Sequence, residues 1–259
     1  MQKRPFFTLL TAALNNESTI GQTLDSVKNQ TYHNFEHIVF DGNSFDKTRD
    51  ILNKFENTYK LFWFSETDNG IAEALNKGLK LAKGKYIYVL GADDYFIDNN
   101  ILSNVYEIIK NLRYDIYSSP VIVDHPTRGK FYYKPFRFLW WYHFKTIFPH
   151  QGTFVHRRVF KQVPQFREDI SIAFDYDFFY RALKYRPTIK LGSKPIAIMN
   201  GTGISGNQKL LVKRLNEEYF IQKSNETISV WRILQLIFRT LYFPYKTRLV
   251  PALKKSHPL

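Results

Sequence analysis

The chain of 259 residues contains no cysteine. This absence excludes a disulfide scaffold, zinc sites built on thiolates, iron–sulfur ligation and a cysteine nucleophile. Long apolar runs are also missing, since no uninterrupted stretch reaches the ~18 residues of a transmembrane helix. The basic start at residues 1–5 is followed by a short apolar run without a small-residue cleavage site, so we expect no signal peptide. These absences favour a cytoplasmic protein.

Acidic residues are scarce relative to basic ones. The chain has 23 Asp and Glu against 37 Lys and Arg, a formal net charge of +14. Residues 209–259 carry half of this excess, because they contain ten Lys or Arg and three Glu, a net charge of +7. Such a balance implies an acidic partner: nucleic acid, an anionic membrane or a phosphorylated substrate.

The first half of the chain alternates between strand-like and helix-like segments. We predict buried strands at residues 6–11, 35–40, 61–65 and 86–90, and helices at residues 20–29, 46–55, 70–82 and 100–112. This alternation favours an α/β fold with a mostly parallel central sheet flanked by helices. In such sheets, ligands bind outside the carboxyl ends of the strands.

Carboxylates collect at these predicted strand ends although the chain as a whole is basic. Asp41 follows the second strand, Asp68 the third, and Asp93 and Asp94 the fourth, while Glu17 lies beyond the first. Acids at one edge of a basic protein suggest a divalent cation that bridges to phosphate. The G-x-G-x-x-G and G-x-x-x-x-G-K-[ST] patterns are absent, which argues against a dehydrogenase and a P-loop enzyme.

The second half of the chain is rich in aromatic residues. Residues 130–148 interleave ten aromatic residues with Lys134, Arg137 and Lys145. These rings suit either a core or a membrane interface, and the pattern leaves both open. Beyond them we predict a strand at 153–156, a helix at 157–163, a helix that opens at Phe174 and a late strand at 189–199.

The C-terminal region predicts a basic amphipathic helix. Within residues 228–243, Arg232, Gln235 and Arg239 fall on one face, apolar residues cover the rest, and Pro244 is expected to stop the helix. A basic tail follows, with Lys246, Arg248, Lys254 and Lys255. Such a helix can lie in a membrane interface. Alternatively, its apolar face packs on the domain while the basic residues are solvated.

Several sequence motifs, taken in order, resemble those of family 2 glycosyltransferases of the bacterial cell-surface polysaccharide type. They are residues 11–17 (TAALNNE), 24–32 (LDSVKNQTY), 35–44 (FEHIVFDGNS), 68–71 (DNGI) with 76–78 (NKG), 84–94 (GKYIYVLGADD), 149–151 (PHQ) and 174–176 (FDY). The resemblance covers residues 5–200, and seven motifs in the right order are far more specific than one. It implies the GT-A nucleotide-diphospho-sugar transferase fold, with a C-terminal amphipathic helical extension.

The resemblance also implies a site for a nucleotide-sugar donor, expected to be a UDP-sugar. The expected donor contacts are Thr11, Ala12, Asn15, Glu17, Asp41, Asp68, Lys77, Ala92 and Asp93, with Asp41 near uracil or ribose and Lys77 near phosphate or ribose. Asp93 and Asp94 would hold Mn²⁺ or Mg²⁺. The family usually has an acid two residues before Asp93, and Gly91 stands there, so this motif is incomplete. Taken locally, Glu17 equally suits a helix N-terminus, Lys77 a solvated helix face, and the acid pair a loop cap.

Asp175 matches the family's general base, which deprotonates the acceptor hydroxyl in an inverting transfer. Asp177 lies two residues further along the same helix and points elsewhere, so we expect it to be structural. By the same resemblance, His150 and Gln151 contact the diphosphate or the acceptor. The implied acceptor is a sugar on a polyprenyl diphosphate, used in O-antigen, capsule or exopolysaccharide synthesis. The enzyme would then be peripheral on the inner face of the cytoplasmic membrane.

The predicted organisation is a GT-A domain at 1–208 and a basic helical tail at 209–259. The nucleotide-sugar half covers about 1–115 and the acceptor half about 116–208. Two alternatives remain open. A nucleic-acid-binding protein fits the charge and the aromatic residues, but the strand-end acids would repel phosphate without a metal. A non-catalytic glycosyltransferase-like subunit fits the substitution at Gly91.

Overall fold

The structure is a computed structural model that describes residues 4–204, 206–226 and 229–249, so Lys254 and Lys255 of the predicted tail lie outside it. The strands are β1 (Phe7–Ala13), β2 (Phe35–Asp41), β3 (Leu61–Ser65), β4 (Tyr86–Val89), β5 (Tyr95–Phe96), β6 (Ile116–Ser118), β7 (Val121–His125), β8 (Gly129–Tyr133), β9 (Thr153–His156), β10 (Ile189–Leu191) and β11 (Ala197–Asn200). The helices are α1 (Ile20–Lys28), α2 (Thr48–Phe55), α3 (Ile71–Leu81), α4 (Ile101–Ile109), α5 (Phe174–Leu183), α6 (Leu211–Asn225) and α7 (Val230–Pro244).

The central sheet has seven strands in the order β10-β6-β9-β4-β1-β2-β3. β9 runs antiparallel to β4 and β6, whereas β4, β1, β2 and β3 are parallel to one another. Every residue of β2 is buried, as expected of a parallel strand covered on both faces. The predicted α/β fold with a mostly parallel sheet is confirmed. The carboxyl ends of four parallel strands therefore form one edge.

Successive residues of β1 point into two different hydrophobic layers, because side chains alternate across a strand. Leu10 joins the layer beneath α3 and α5, and Leu9 joins the layer beneath α4. Gly78 lets α3 approach the sheet closely, since an added Cβ would lie 3.0 Å from Leu10 Cδ2. This close packing fixes α3 against β1 and β2.

A second, four-stranded sheet has the order β5-β11-β7-β8. β5 directly follows the loop that carries Asp93 and Asp94, and it pairs antiparallel with β11. The end of β11 thereby reaches this loop, where the N–H of Asn200 donates to Asp94 Oδ1 (2.9 Å). The small sheet thus supports one side of the strand-end crevice.

Several predicted element boundaries were wrong. β1 continues to Ala13, two residues beyond the predicted end. The strand predicted at 189–199 is two strands in different sheets, because a loop begins at Gly192, where a Cβ would collide with the Ser119 hydroxyl. The helix predicted at 157–163 contains only the 3₁₀ turn Val159–Lys161. Pro244 does not stop the C-terminal helix outright, since a π-helical turn, Tyr245–Leu249, follows it.

Candidate active site

Asp93 and Asp94 form a pair of crowded carboxyl groups just beyond β4. Asp94 is almost fully buried, and burial together with the Asp93 charge raises its pKa to about 7. Burial also raises the pKa of Asp93. Two acids that oppose each other's ionisation in a crevice are stabilised by a cation, and the pair therefore suits a divalent metal.

Gly91 faces both of these carboxyl groups. A Cβ at this position would collide with Asp94 Oδ2 and lie 3.1 Å from Asp93 Oδ1. A side chain at the place of the family's usual acid would therefore require the Asp94 carboxyl group, which accepts from the Asn200 N–H, to move. No cluster of three His, Asp or Glu that could hold a metal occurs among the described residues. Two carboxylates still fit Mg²⁺ or Mn²⁺, because such ions take their remaining ligands from substrate phosphates and water.

Asp41 lies at the end of β2 and is fully buried. Its Oδ2 accepts bonds from the Ser44 N–H (3.0 Å) and the Ser65 hydroxyl (2.6 Å), and its Oδ1 accepts from the Ser44 hydroxyl. These donors hold a negative charge at the strand end. They also fold the loop after β2 into a fixed shape beside the crevice.

Asn15 and Glu17 fasten the loop after β1 to the loop after β2. Asn15 adopts a left-handed φ of 54°, and its Oδ1 accepts from the Phe45 N–H (3.1 Å). Glu17 Oε2 accepts from the Lys47 N–H (2.9 Å), while its own N–H donates to Asp46 Oδ2 (3.0 Å). Both predicted donor residues therefore shape the rim where these two loops meet.

Thr11, Ala12 and Ala92 lie deeper than their predicted role as donor contacts implies. Because β1 extends beyond it, Thr11 is a buried strand residue whose hydroxyl donates to Leu90 O (2.8 Å) and lies 2.9 Å from His37 Nε2. Ala12 is half-buried against the core, and Ala92 is buried in it. The Thr11 hydroxyl is therefore engaged within the sheet, and the Ala92 side chain is covered.

Asp68 and Lys77 stand together on the β3–α3 side of the crevice. A Cβ at Gly42 would lie 2.9 Å from Asp68 Oδ2, which places Asp68 against the end of β2. Burial raises the pKa of Asp68, and the Lys77 charge opposes this rise. The Lys77 ammonium is 3.1 Å from Glu73 and 3.4 Å from Glu66. Lys77 is thus held by acids rather than extended into solvent.

His150 and Gln151 lie in a single 3₁₀ turn, His150–Gly152, between two acidic centres. The His150 ring packs edge-on against Phe174, 5.8 Å between centroids, beside Asp175. Burial lowers the pKa of His150 to about 4, so this ring is neutral at pH 7. The Gln151 side chain is near enough to Asp94 to oppose the rise in its pKa. Two consecutive residues therefore connect the carboxylate pair with the helix that carries Asp175.

Asp175 and Asp177 at the start of α5 have different environments. Asp177 is fully buried and pairs with Arg181 one turn later, at 2.6 Å. Asp175 Oδ1 accepts from the Tyr176 N–H (2.7 Å), and burial, with a smaller contribution from the Glu218 charge, raises its pKa to about 6. A carboxylate with this pKa is ionised at neutral pH and more basic than an ordinary aspartate. Asp175 is therefore the one suited to accept a proton.

Glu217 of α6 holds the segment that leads into α5, and sequence reasoning missed it. Its Oε2 accepts from the N–H groups of Ile172 and Ala173 (2.9 Å each), and its Oε1 accepts from the Ser171 hydroxyl (2.8 Å). A carboxylate at this point satisfies free N–H groups of the helix start. No local motif could reveal this contact, because the partners are more than forty residues apart.

Other motif residues have structural roles. Asn76 is buried and binds both the N–H and the carbonyl of Phe166 at 2.9 Å, which ties α3 to the segment between β9 and α5. Gln30 donates to the carbonyls of Ser26 and Asp98, and it accepts from the Leu102 N–H. These side chains join separate segments, so their motifs are typical of the fold rather than of the chemistry.

A glycosyltransferase of the GT-A fold is the class that this arrangement defines: a mostly parallel sheet, an acid pair at its edge and, on α5, a carboxylate with a raised pKa. The sequence model of one family, glycosyl transferase family 2, matches residues 8–180 of the chain. The chain belongs to glycosyl transferase family 2 and is an enzyme of this class. The sequence-based prediction of the family is thus confirmed.

Similar proteins come from several bacteria. A PGL/p-HBAD biosynthesis glycosyltransferase of Mycobacterium bovis BCG is 29% identical over 178 residues, covering 67% of this chain and 68% of that protein. WfaP of Escherichia coli, named a UDP-Glc:α-D-GlcNAc-diphosphoundecaprenol β-1,3-glucosyltransferase, is 37% identical over 99 residues, 38% of this chain and 39% of its own. The names of these relatives describe sugar transfer, in agreement with the family.

Solved structures share the fold. S. aureus TarS 1–349 with UDP-GlcNAc superposes with a TM-score of 0.73 at 19% identity, over 94% of this chain and 76% of that one. The mannosyltransferase PcManGT from Pyrobaculum calidifontis, with GDP-Man and Mn²⁺, superposes with a TM-score of 0.70 at 15% identity, over 97% of this chain and 74% of that one.

Within the described residues, no helix combines the length and apolarity needed to cross a bilayer.

Proposed function

We propose that this enzyme transfers a sugar, with inversion, from a UDP-sugar to a saccharide carried on a polyprenyl diphosphate in surface polysaccharide synthesis. The observation that carries the proposal is the turn at His150 and Gln151. It joins the Asp93–Asp94 pair, of which Asp94 is buried and which suits a metal diphosphate, to the helix that carries Asp175. The WfaP name describes this donor class and an undecaprenyl-diphosphate acceptor, which supports the choice of substrates.

In this proposal, Asp93 and Asp94 hold Mn²⁺ or Mg²⁺ together with the donor diphosphate. The bound ion would neutralise the negative charge that develops on the leaving diphosphate. The raised pKa values of the pair support this role, because a cation would replace the protons that burial favours. Gln151, whose side chain is near Asp94, would help to orient this carboxyl group.

Asp175 serves as the general base. Its carboxylate accepts the proton of the acceptor hydroxyl as the hydroxyl oxygen attacks the anomeric carbon from the face opposite the diphosphate. The C–O bond to the diphosphate breaks with its electron pair on the leaving oxygen. A pKa of about 6 supports this role, because the group is ionised at pH 7 and still basic.

We further propose that the base and ribose of the donor bind beside Asp41, Asn15 and Glu17, with Asp68 and Lys77 closing the other side. Asp41 is held by Ser44 and Ser65, so its charge is fixed before a nucleotide arrives. His150, neutral and aromatic-lined, would face the acceptor. The enzyme would work at the inner face of the cytoplasmic membrane, with peripheral contact through its C-terminal helix.

A donor screen tests the function. Release of UDP or GDP from a panel of nucleotide sugars is measured with a GlcNAc-diphospho-lipid acceptor, with Mn²⁺, with Mg²⁺ and with EDTA. We expect UDP release that depends on acceptor and metal, and that falls at least a hundredfold in Asp94→Asn. Acceptor-dependent GDP release would overturn the donor class, and full activity in EDTA would overturn the metal role.

A further inference from the structure

The face of α7 that packs on the domain combines its polar residues with aromatic rings, since Phe238 also packs against Trp141 and Phe144. Gln235 is fully buried, and its amide donates to His143 O (2.9 Å) and to the Tyr180 hydroxyl (3.1 Å). The Trp231 ring stacks on His143 with 4.0 Å between centroids. The polar residues of this helix therefore point inward together with its aromatic rings, and its aliphatic residues face outward, unlike those of an ordinary surface helix.

Both arginines of α7 are also engaged with the protein. Arg232 donates to the Tyr219 hydroxyl (2.7 Å), and its guanidinium lies 4.7 Å from the centre of that ring. Arg239 covers the same ring at 4.1 Å and donates to Leu215 O (3.2 Å). These charges anchor α7 to α6, so they are not solvated in the way the sequence suggested.

The outer face of α7 is aliphatic and exposed. Its apolar side chains are 39% to 72% exposed, and they are Val230, Ile233, Leu234, Leu236, Ile237 and Leu241. Thr240 adds one hydroxyl to this face, and the cations within Val230–Pro244 lie on the opposite side. Six exposed aliphatic side chains on one helix form a patch that water disfavours, which marks an interaction surface.

A second element continues this patch. The 3₁₀ turn Leu139–His143 packs beside α7, where Trp140 stacks on Trp231 at 6.4 Å between centroids. Trp140 is 49% exposed and the neighbouring Phe138 is 62% exposed. Aromatic rings beside an aliphatic surface are typical of proteins at the boundary between lipid headgroups and acyl chains. The aromatic segment of the sequence thus contributes to both the core and this surface.

We infer that the outer face of α7, with Phe138 and Trp140, inserts into the surface of an anionic lipid bilayer. The net charge of +14 favours anionic lipid and opposes a second copy of this chain on the same face. This inference rests on the proposed function in one respect: a lipid-linked acceptor would place the substrate of the enzyme in a membrane. It goes further because it names the membrane-inserting face: the aliphatic residues of α7, which an ordinary amphipathic helix would bury against the protein.

Vesicle flotation of the full chain tests this surface. The fraction of protein bound to phosphatidylcholine vesicles is compared with the fraction bound to vesicles that contain phosphatidylglycerol. The measurement is made for the wild type and for the double variant Ile233→Asp/Ile237→Asp. The matched control is Ile108→Asp/Leu112→Asp, which places the same charges at exposed apolar positions on and after α4. We expect the wild type and the control to float with the anionic vesicles. The α7 variant should lose at least tenfold in bound fraction.

Three further readouts separate the possible outcomes. Transfer to a short, water-soluble acceptor should be unchanged in the α7 variant, and circular dichroism should show the same helix content. Flotation of the α7 variant equal to that of wild type would overturn the inference. It would also be overturned if light scattering showed that the wild type is a dimer and the α7 variant a monomer. Flotation without any sugar transfer would instead refute the proposed function and leave the membrane surface standing. If the two Asp substitutions unfold α7, the double variant Ile233→Ser/Ile237→Ser is used instead.

Discussion

Replacing Glu217 by Ala tests whether α6 positions Asp175, the proposed general base. The carboxylate accepts four bonds from Ser171, Ile172 and Ala173 at 2.8–3.2 Å, immediately before α5. Hydrogen bonds to a charged group contribute about 1.5–3 kcal/mol each, but these share one carboxylate and Ser171 is exposed to water. We therefore expect the free energy of unfolding to fall by about 3 kcal/mol, or roughly 6–12 °C in Tm for a chain of this size.

The catalytic effect follows from the position of Asp175, two residues beyond Ala173. If the start of α5 shifts by ~1 Å, the base loses alignment with the acceptor hydroxyl, and kcat should fall roughly a hundredfold. The KM for the donor should not change, because the donor side of the crevice does not touch Glu217. Glu217→Gln keeps one acceptor oxygen and should lie between wild type and Ala.

Differential scanning calorimetry and steady-state kinetics at 25 °C provide the two measurements. Glu107→Ala is the matched control, because Glu107 of α4 forms an exposed ion pair with Lys110 just after the helix, and its loss should change neither quantity. A lower Tm with an unchanged kcat would show that Glu217 is merely structural. An unchanged Tm would refute the capping argument itself.

Three more predictions follow from the acidic groups. Gly91→Asp, which restores the family's usual acid, should lower Mn²⁺-dependent activity at least tenfold, because its Cβ collides with an Asp94 carboxyl held by Asn200; increased activity would contradict this. Without metal, stability should decrease as pH rises from 4 through about 7, because the folded pKa of Asp94 exceeds its unfolded value; Mn²⁺ should therefore raise Tm more at pH 8 than at pH 5, and an equal rise would oppose the assignment. Glu218→Gln should move the acidic limb of the kcat–pH profile below about 6, because the Glu218 charge raises the pKa of Asp175; a limb that stays in place would exclude this coupling.

Local sequence patterns predicted the elements that carry the proposed donor site. Apolar runs such as 35–40 and the helical spacing at 70–82 are short-range signals, and β2 and α3 formed where they indicated. The acids at strand ends followed from topology alone, since parallel strands place their carboxyl ends together. The choice of Asp175 over Asp177 also has a local signal, because Arg181 lies one turn after Asp177 and pairs with it.

Long-range packing decided what the sequence left open. The amphipathic pattern of α7 was compatible with either orientation, and the bonds from Gln235 to His143 and Tyr180 determine which face is buried. Glu217 reaches a helix start far away in the chain, and Gly91 is adjacent to two carboxyl groups only after the loop folds. The division into a domain at 1–208 and a tail at 209–259 stays a prediction, and Glu217 of α6 binds the segment that leads into α5.

The most direct test of the account is Asp175→Asn, assayed for donor binding and for transfer. Positioned general bases contribute about 10²–10⁴-fold, so transfer should fall by at least a hundredfold. The affinity for the UDP-sugar with Mn²⁺, measured by calorimetry, should stay within about twofold of wild type, because the donor groups are on other elements. Transfer at the wild-type rate in Asp175→Asn would contradict the assignment of the base and, with it, the mechanism.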